Sequence, residues 1–312
     1  MGKTAFIFAG QGAQAVGMGK ELCENFECAN KVFEEATEAL GFDVKKMIFE
    51  GDSETLMITE NTQPTVVTMS IAALRVLEEK GVKADVVAGL SLGEYSAHIA
   101  SGSIDFADGV RLVRKRGKYM QEEVPVGKGA MAAIIALGAE DVEECCREAS
   151  KKGICSPANY NCPGQIVVSG EVAAVDECCV LAKEKGAKRA LKLPVSAPFH
   201  CKMLEGAGEK LQKELEGVAV ADMQIPVITN VTADYVNGKE DIKPLLVKQV
   251  SSSVRWEESV RKMLADGVDT FIEIGPGKAL SGFVKKVSTD VKIFNVEDMA
   301  SLNKTLEGLS IC

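Results

Sequence analysis

Five residues, Gly89-Leu90-Ser91-Leu92-Gly93, constrain this chain more than any other stretch. Before them stands Val86-Val87-Ala88, apolar and β-branched. After them Glu94-Tyr95-Ser96-Ala97-His98-Ile99-Ala100 reads as helix. A strand that turns this sharply into a helix needs nearly side-chain-free neighbours on both sides of the apex. G-x-S-x-G supplies them. It would lift the Ser91 hydroxyl clear of the sheet, at the positive end of the next helix. The same residues also suit a plain strand-to-helix turn with a capping serine. On the first reading Ser91 is a nucleophile, and on the second it is structural.

The chain has 312 residues, enough for two average domains or one large domain with an insertion. Its net charge of −9 argues against a general nucleic-acid or anionic-membrane surface. No apolar run approaches the roughly 20 residues of a membrane span. The N-terminal apolar stretch is too short for a signal peptide and reads as a buried first strand. The ten cysteines form no C-x-x-C pair, and only two histidines are present, so zinc is poorly served. Reduced thiols in a cytoplasmic protein, with no metal and no cofactor, are the expectation.

Taken in order, Thr4 to Ala9 is a strand, followed by the turn Gly10-Gln11-Gly12-Ala13-Gln14-Ala15. Gly10-x-Gly12-x-x-Ala15 formally matches a dinucleotide fingerprint. That fingerprint needs a second strand soon after, where Asn30 to Leu40 has helical spacing instead. Asn61-Thr62-Gln63-Pro64 opens a helix with Pro64 near its first turn. Its apolar face runs through Val67, Ile71, Leu74 and Leu77, and Gly81 ends it. Asp105 to Glu122 is a helix whose core stripe is Phe106, Val110, Val113, Gly117 and Met120. Arg111, Arg114, Lys115 and Lys118 fall on the far, solvated side. Arg116 lies instead in a row with Leu112 and Met120, and an arginine there needs an anionic partner. An internal salt bridge and an anion-binding pocket both satisfy that need.

After the linker Val124 to Gly129 the pattern changes. Strand 130–137, helix 140–151, strands 154–158 and 165–169 around the turn Asn159 to Gly164, helix 172–185 and strand 188–193 give β-α-β-β-α-β. That is the ferredoxin-like order, read as an inserted subdomain over 127–195, with the main body at 1–126 and 196–312. Pro194 to Cys201 is a loop punctuated by prolines. Strand 226–230, strand and turn 269–277, helix 278–287 and strand 291–295 complete the main body.

A serine nucleophile needs a base. His98 lies seven residues after Ser91 on the same helix, about 10 Å along it, among apolar neighbours. It reads as a core histidine. His200 sits on the proline-constrained loop at a domain junction, where clefts form. Geometry and chain order favour His200. No acid can be assigned as a third member. A backbone carbonyl or an amide side chain can orient the imidazole instead.

The ordered set is Gly10-Gln11-Gly12, Gly89-Leu90-Ser91-Leu92-Gly93-Glu94-Tyr95, Arg116-Gly117-Lys118-Tyr119-Met120, Asn159-Tyr160-Asn161-x-Pro163-Gly164-Gln165, Phe199-His200, Gln249 and Glu273-Ile274-Gly275-Pro276-Gly277. It resembles the malonyl-CoA:acyl-carrier-protein transacylase family of bacterial fatty-acid synthesis over nearly the whole chain. The resemblance implies an α/β-hydrolase-like large domain with a parallel sheet and nucleophile elbow, plus the inserted ferredoxin-like subdomain. It implies that Ser91 takes malonyl from malonyl-CoA, with His200 as base, and passes it to the phosphopantetheine thiol of acyl carrier protein. The oxyanion would rest on the N–H groups of Leu92 and Gln11. Arg116 would hold the malonyl carboxylate and Gln249 would orient His200. Met120 and Phe199 would line the acyl pocket. A trans-acting acyltransferase for a polyketide synthase, a serine esterase and an idle carrier-protein docking module are the alternatives. The family usually has Gly-His-Ser at the elbow; Leu90 stands here in place of that histidine, so a tuned pocket is expected. Nothing demands more than a monomer. Lys188, Arg189 and Lys192, beside the His200 loop, are a candidate basic patch for an acidic carrier, or simply solvated surface.

Overall fold

The computed structural model describes residues 2–195 and 197–311. Met1, Ser196 and Cys312, where the expected main-body segments begin or end, lie outside the described residues. Among the described residues nine strands form two sheets: β1 (Lys3–Phe8), β2 (Val86–Gly89), β3 (Gly129–Ile135), β4 (Cys155–Cys162), β5 (Gln165–Glu171), β6 (Arg189–Lys192), β7 (Val227–Ile228), β8 (Val268–Ile274) and β9 (Lys292–Val296). Helices α1 (Lys20–Asn25), α2 (Glu27–Leu40), α3 (Val44–Phe49), α4 (Ser53–Met57) and α5 (Thr59–Glu79) fill the β1–β2 crossover. Then come α6 (Gly93–Ala100), α7 (Phe106–Glu123), α8 (Ala139–Ala149), α9 (Val172–Glu184) and α10 (Glu205–Glu216). The last four are α11 (Lys239–Gln249), α12 (Trp256–Ala265), α13 (Ala279–Val287) and α14 (Met299–Gly308).

The larger sheet is parallel throughout, in the order β7-β2-β1-β8-β9. Its register places the site. Phe8 on β1 pairs with both Gly89 on β2 and Ile274 on β8. Three turns, after Phe8, Gly89 and Ile274, therefore leave the sheet flush at its carboxyl edge, where ligands of open parallel sheets bind. Helices cover both faces, which is why β1 and β2 are continuous apolar runs.

The smaller sheet is antiparallel, in the order β4-β5-β3-β6. With α8 and α9 it makes the ferredoxin-like unit, and its own apolar core holds Ala132, Ile134, Val142, Cys146, Val168, Val175 and Cys178. No helix among the described residues is long and apolar enough to cross a membrane. The nine described cysteines are free thiols.

Three local expectations change. The hairpin turn at 159–164 shrinks to Pro163-Gly164, with Gly164 at φ 71°. Asn159 to Cys162 instead continue β4, because two bulges absorb their irregular pairing. The helix expected to open at Asn61 begins at Thr59, so Pro64 stands inside it. Arg114 is not simply solvated. It is half-buried, paired with Glu60 at 3.2 Å and stacked 4.7 Å from the centre of the Phe42 ring. The helices α12 and α14 carried no distinct sequence expectation.

The elbow glycines are required by contact. A Cβ on Gly89 would lie 1.9 Å from the Gly93 carbonyl carbon, and one on Gly93 would lie 2.1 Å from the Phe8 oxygen. Gly89→Ala should therefore cost about 1–3 kcal/mol of overpacking or more. Gly282→Ala, in the exposed interior of α13 with no atom within 4 Å of the new methyl, should gain about 0.5–1 kcal/mol. Urea denaturation of the two variants checks this; equal stability would contradict the close approach at the elbow.

Candidate active site

The turn after β2 presents Ser91 at φ 53°, a left-handed backbone that a serine occupies only at some cost. Asn230 holds it there. The Asn230 side-chain oxygen accepts from the Ser91 N–H at 2.6 Å, and its NH₂ donates to the Gly89 carbonyl at 2.7 Å. One amide thus staples both arms of the turn.

His200 is buried and also sits at positive φ, 59°. Its Nδ1 lies 3.0 Å from the backbone carbonyl of Gln249. A carbonyl only accepts, so Nδ1 carries the proton and Nε2 is the free base. The Ser91 hydroxyl then donates to Nε2 at 2.6 Å. Burial first, and the Arg116 charge second, push the imidazole down to about 4. His200 therefore stands neutral, ready to take a proton. His98 is fully buried, bonded through Nδ1 to the Ser103 hydroxyl at 3.0 Å, with its Nε2 unpartnered among the described residues. Burial pushes it down to about 3, and its one ring contact among the described residues is with Ser103, as suits a core histidine. Both histidines fold as neutral groups. Their contribution to stability is complete above the unfolded value of about 6.5 and is lost as pH falls from there through their folded values.

Arg116 is only 2% exposed. Its Nη1 donates to the Gln63 side-chain oxygen at 2.8 Å. Its Nη2 donates to the Gln249 side-chain oxygen at 3.0 Å and to Ser91 Oγ at 3.2 Å. Its Nε has no partner among the described residues, and no carboxylate there forms an ion pair with it. The Tyr95 ring lies 5.3 Å beneath the guanidinium. The internal salt bridge that the sequence left open is therefore absent among the described residues, and a buried cation faces the serine. Burial lowers its pKa, yet a guanidinium stays charged at any working pH.

The nearest anion is Glu94, fully buried on α6. Its carboxylate accepts from the Thr229 hydroxyl at 2.8 Å, the Asn230 N–H at 2.9 Å and the Gln249 side-chain NH₂ at 2.8 Å. Burial raises its pKa, opposed by those donors. Gln249 therefore does more than the sequence suggested. Its backbone carbonyl orients His200, its side-chain oxygen steadies Arg116, and its NH₂ bridges Glu94 and the Ser91 carbonyl at 2.9 Å.

The backbone N–H groups of Leu92 and Gln11 donate to no acceptor among the described residues. Leu92 is buried directly after Ser91, and the Gln11 side chain is tied to Thr59 Oγ1 at 3.3 Å. Met120 and Phe199 line the cleft with Leu90, Met131, Val167 and Leu193, in a volume of about 960 Å³. Asn159 and Asn161, expected in a turn, reach this cleft from the bulged β4. Leu90 lines the cleft in front of β1 and packs against Gly10.

Sequence reasoning missed roles for Glu94, Asn230, Thr229 and Gln63. Two signals were available. Gln63 lies four residues before Val67, a polar side chain continuing an apolar row. Glu94 is the one carboxylate in the short helix Gly93–Ala100.

A half-buried serine on a buried histidine, two free backbone donors and an adjoining guanidinium make an arrangement suited to acyl transfer or hydrolysis of a substrate bearing a carboxylate. The chain matches the acyl transferase domain family over residues 5–304 and belongs to that family. The malonyl CoA-acyl carrier protein transacylase of Bacillus subtilis is 48% identical over 310 residues, 99% of this chain and 98% of that protein. The Escherichia coli protein of the same name is 42% identical over 308 residues, 98% and 100% of the two chains. The crystal structure of malonyl CoA-acyl carrier protein transacylase from Clostridium perfringens superposes with a TM-score of 0.96 at 50% identity, covering 99% and 97%. A malonyl-transacylase in complex with a type II PKS acyl-carrier protein gives 0.95 at 42% identity, covering 98% and 99%.

Sulfonyl fluoride inactivation reports on Ser91 without using the acyl pocket. Its rate should fall to half near pH 4, the value set for His200, with folding checked at each pH by circular dichroism. Arg116→Ala should move that midpoint upward, because the charge that disfavours the imidazolium is gone. A wild-type midpoint near the ordinary 6.5 would contradict the site's electrostatics.

Proposed function

We infer that this protein is an acyltransferase that moves the malonyl group from malonyl-CoA to the phosphopantetheine thiol of acyl carrier protein, for fatty-acid synthesis. The observation that carries this reading is Arg116, a buried cation without a carboxylate partner among the described residues, 3.2 Å from Ser91 Oγ. A malonyl thioester ends in a carboxylate a short reach from its carbonyl, and the guanidinium offers it a planar pair of donors. Ordinary ester substrates carry no such group, which weighs against an esterase. The names of the full-length relatives support the same reading.

The chemistry runs in two halves. His200 Nε2 takes the Ser91 proton as Oγ attacks the thioester carbonyl. The Leu92 and Gln11 N–H groups hold the developing oxyanion, typically about 3 kcal/mol for each donor. Collapse expels CoA, protonated from His200, and leaves a malonyl-serine ester. The carrier's thiol then gives its proton to His200 and attacks that ester by the reverse route. Gln249 keeps the imidazole in its reactive tautomer throughout. Met120 and Phe199 bound the acyl group. No cofactor enters these steps.

The carrier protein would approach over the β6 rim, where Leu193, Pro194 and Val195 lead into the cleft. Lys188 and Arg189 are exposed there, while Lys192 is paired with Asp176 at 2.5 Å. One chain, with 127–195 inserted between 1–126 and 196–312, holds the whole cleft, so a monomer suffices. Free thiols fit a cytoplasmic setting. A polyketide carrier is a second reading, favoured by the likeness to the type II PKS complex.

Mixing with malonyl-CoA should place one malonyl group on Ser91, seen by intact-protein and peptide mass spectrometry. Ser91→Ala should lose the adduct and keep its fold. His200→Ala should slow loading by orders of magnitude, whereas His98→Ala should act mainly on stability through a core cavity. Wild-type loading in Ser91→Ala, or equal catalytic losses in both histidine variants without a change in melting temperature, would overturn the assignment.

A further inference from the structure

The mechanism uses none of the cysteines, yet three of them converge. Cys146 on α8, Cys155 on β4 and Cys178 on α9 are all buried in the core of the smaller unit. Cys146 Sγ lies 3.7 Å from Cys178 Sγ and 3.8 Å from Cys155 Sγ, and all three sulfurs fall within 4.8 Å of one another. The sequence spacing hides this cluster, because each thiol comes from a different element. The Ser150 hydroxyl braces it by donating to the Cys146 carbonyl at 2.7 Å and to the Cys155 carbonyl at 3.2 Å.

The triangle is small enough for one ion to touch every corner with bonds of about 2.3 Å, the length usual for metal–sulfur contacts. No other Cys, His, Asp or Glu among the described residues joins the group. A closed tetrahedral zinc site, which needs four ligands, is therefore incomplete. No lysine or arginine is hydrogen-bonded to these sulfurs among the described residues. A complex left with net charge would be costly in this apolar setting. Soft sulfur donors, three bonds and neutrality together select the ligand.

We propose that Cys146, Cys155 and Cys178 form a binding site for a trivalent thiol-seeking ion of the arsenite type, held by three sulfurs alone. The reaction balances without an oxidant: three S–H groups and arsenous acid, As(OH)₃, give three As–S bonds and three waters. Arsenic stays trivalent, and the product is neutral. The complex would tie α8, β4 and α9 together, directly behind the strand that carries Asn159 and Asn161 into the cleft.

The test uses the full chain, kept reduced with a phosphine and mixed with sodium arsenite. Native mass spectrometry should show one arsenic retained with none of its oxygens, the signature of three thiol bonds. Peptide mapping after alkylation in denaturant should find Cys146, Cys155 and Cys178 protected only in the arsenite-treated protein, and the melting temperature should rise, because the ion binds the folded state. Cys146→Ser, Cys155→Ser and Cys178→Ser should each lose the oxygen-free adduct, while Cys179→Ser keeps it. A wild-type adduct that retains a hydroxyl, arsenite-dependent protection of other cysteines in place of these three, or no adduct at all would overturn the proposal without recourse to any variant. None of these outcomes bears on malonyl transfer.

Discussion

The site depends on a cation and an anion that are both buried and do not touch. Arg116 and Glu94 are joined through one amide, Gln249, whose oxygen accepts from the guanidinium and whose NH₂ donates to the carboxylate. Burying either charge unpaired would cost several kcal/mol. A direct ion pair would repay that cost but leave the arginine spent. The intervening amide lowers the cost of both charges and keeps the guanidinium's remaining donors turned toward Ser91. The same amide's backbone carbonyl fixes the His200 tautomer. Guanidinium, imidazole and serine are therefore all referenced to one residue, Gln249, at the end of α11.

Strain is concentrated at the contact between Ser91 and His200. Ser91 and His200, which meet at 2.6 Å, are two of the few non-glycine residues at positive φ. Such conformations cost about 1–3 kcal/mol each and persist only where surroundings over-determine them. Here the surroundings can be named. Asn230 clamps the serine turn, and Glu94 in turn holds the Asn230 backbone. On the other side, Gln249 anchors the histidine. Glu94 thus supports the elbow from behind while supplying the counter-charge to Arg116. The flush register of β1, β2 and β8 delivers the Gln11 and Leu92 donors to the same edge.

Much of this was legible in the sequence, for physical reasons. The elbow is local, since glycines two residues from a serine say where backbone must pass close to backbone. Arg116 betrayed itself by breaking the periodicity of α7, and the β-α-β-β-α-β order followed from alternating patterns. What escaped was non-local. Asn230 is 139 residues from Ser91, and Gln249 is 155 from Glu94, so no spacing rule joins them. The Asn159–Cys162 segment was misplaced because its asparagines, just before Pro163-Gly164, carry turn chemistry, while bulges let them continue a strand. The helix before Pro64 began early because proline tolerates a position where only one intrahelical bond is lost.

The central claim is that Arg116 is held for the substrate's carboxylate. The decisive measurement is kcat/KM for malonyl-CoA and acetyl-CoA on wild type, Arg116→Ala and Arg116→Lys. Arg116→Ala should cripple malonyl transfer and leave acetyl transfer close to it or above it, with the lysine variant between, since it keeps the charge and loses the fork. An equal loss for both substrates would mean that the arginine is structural and that the carboxylate is held elsewhere.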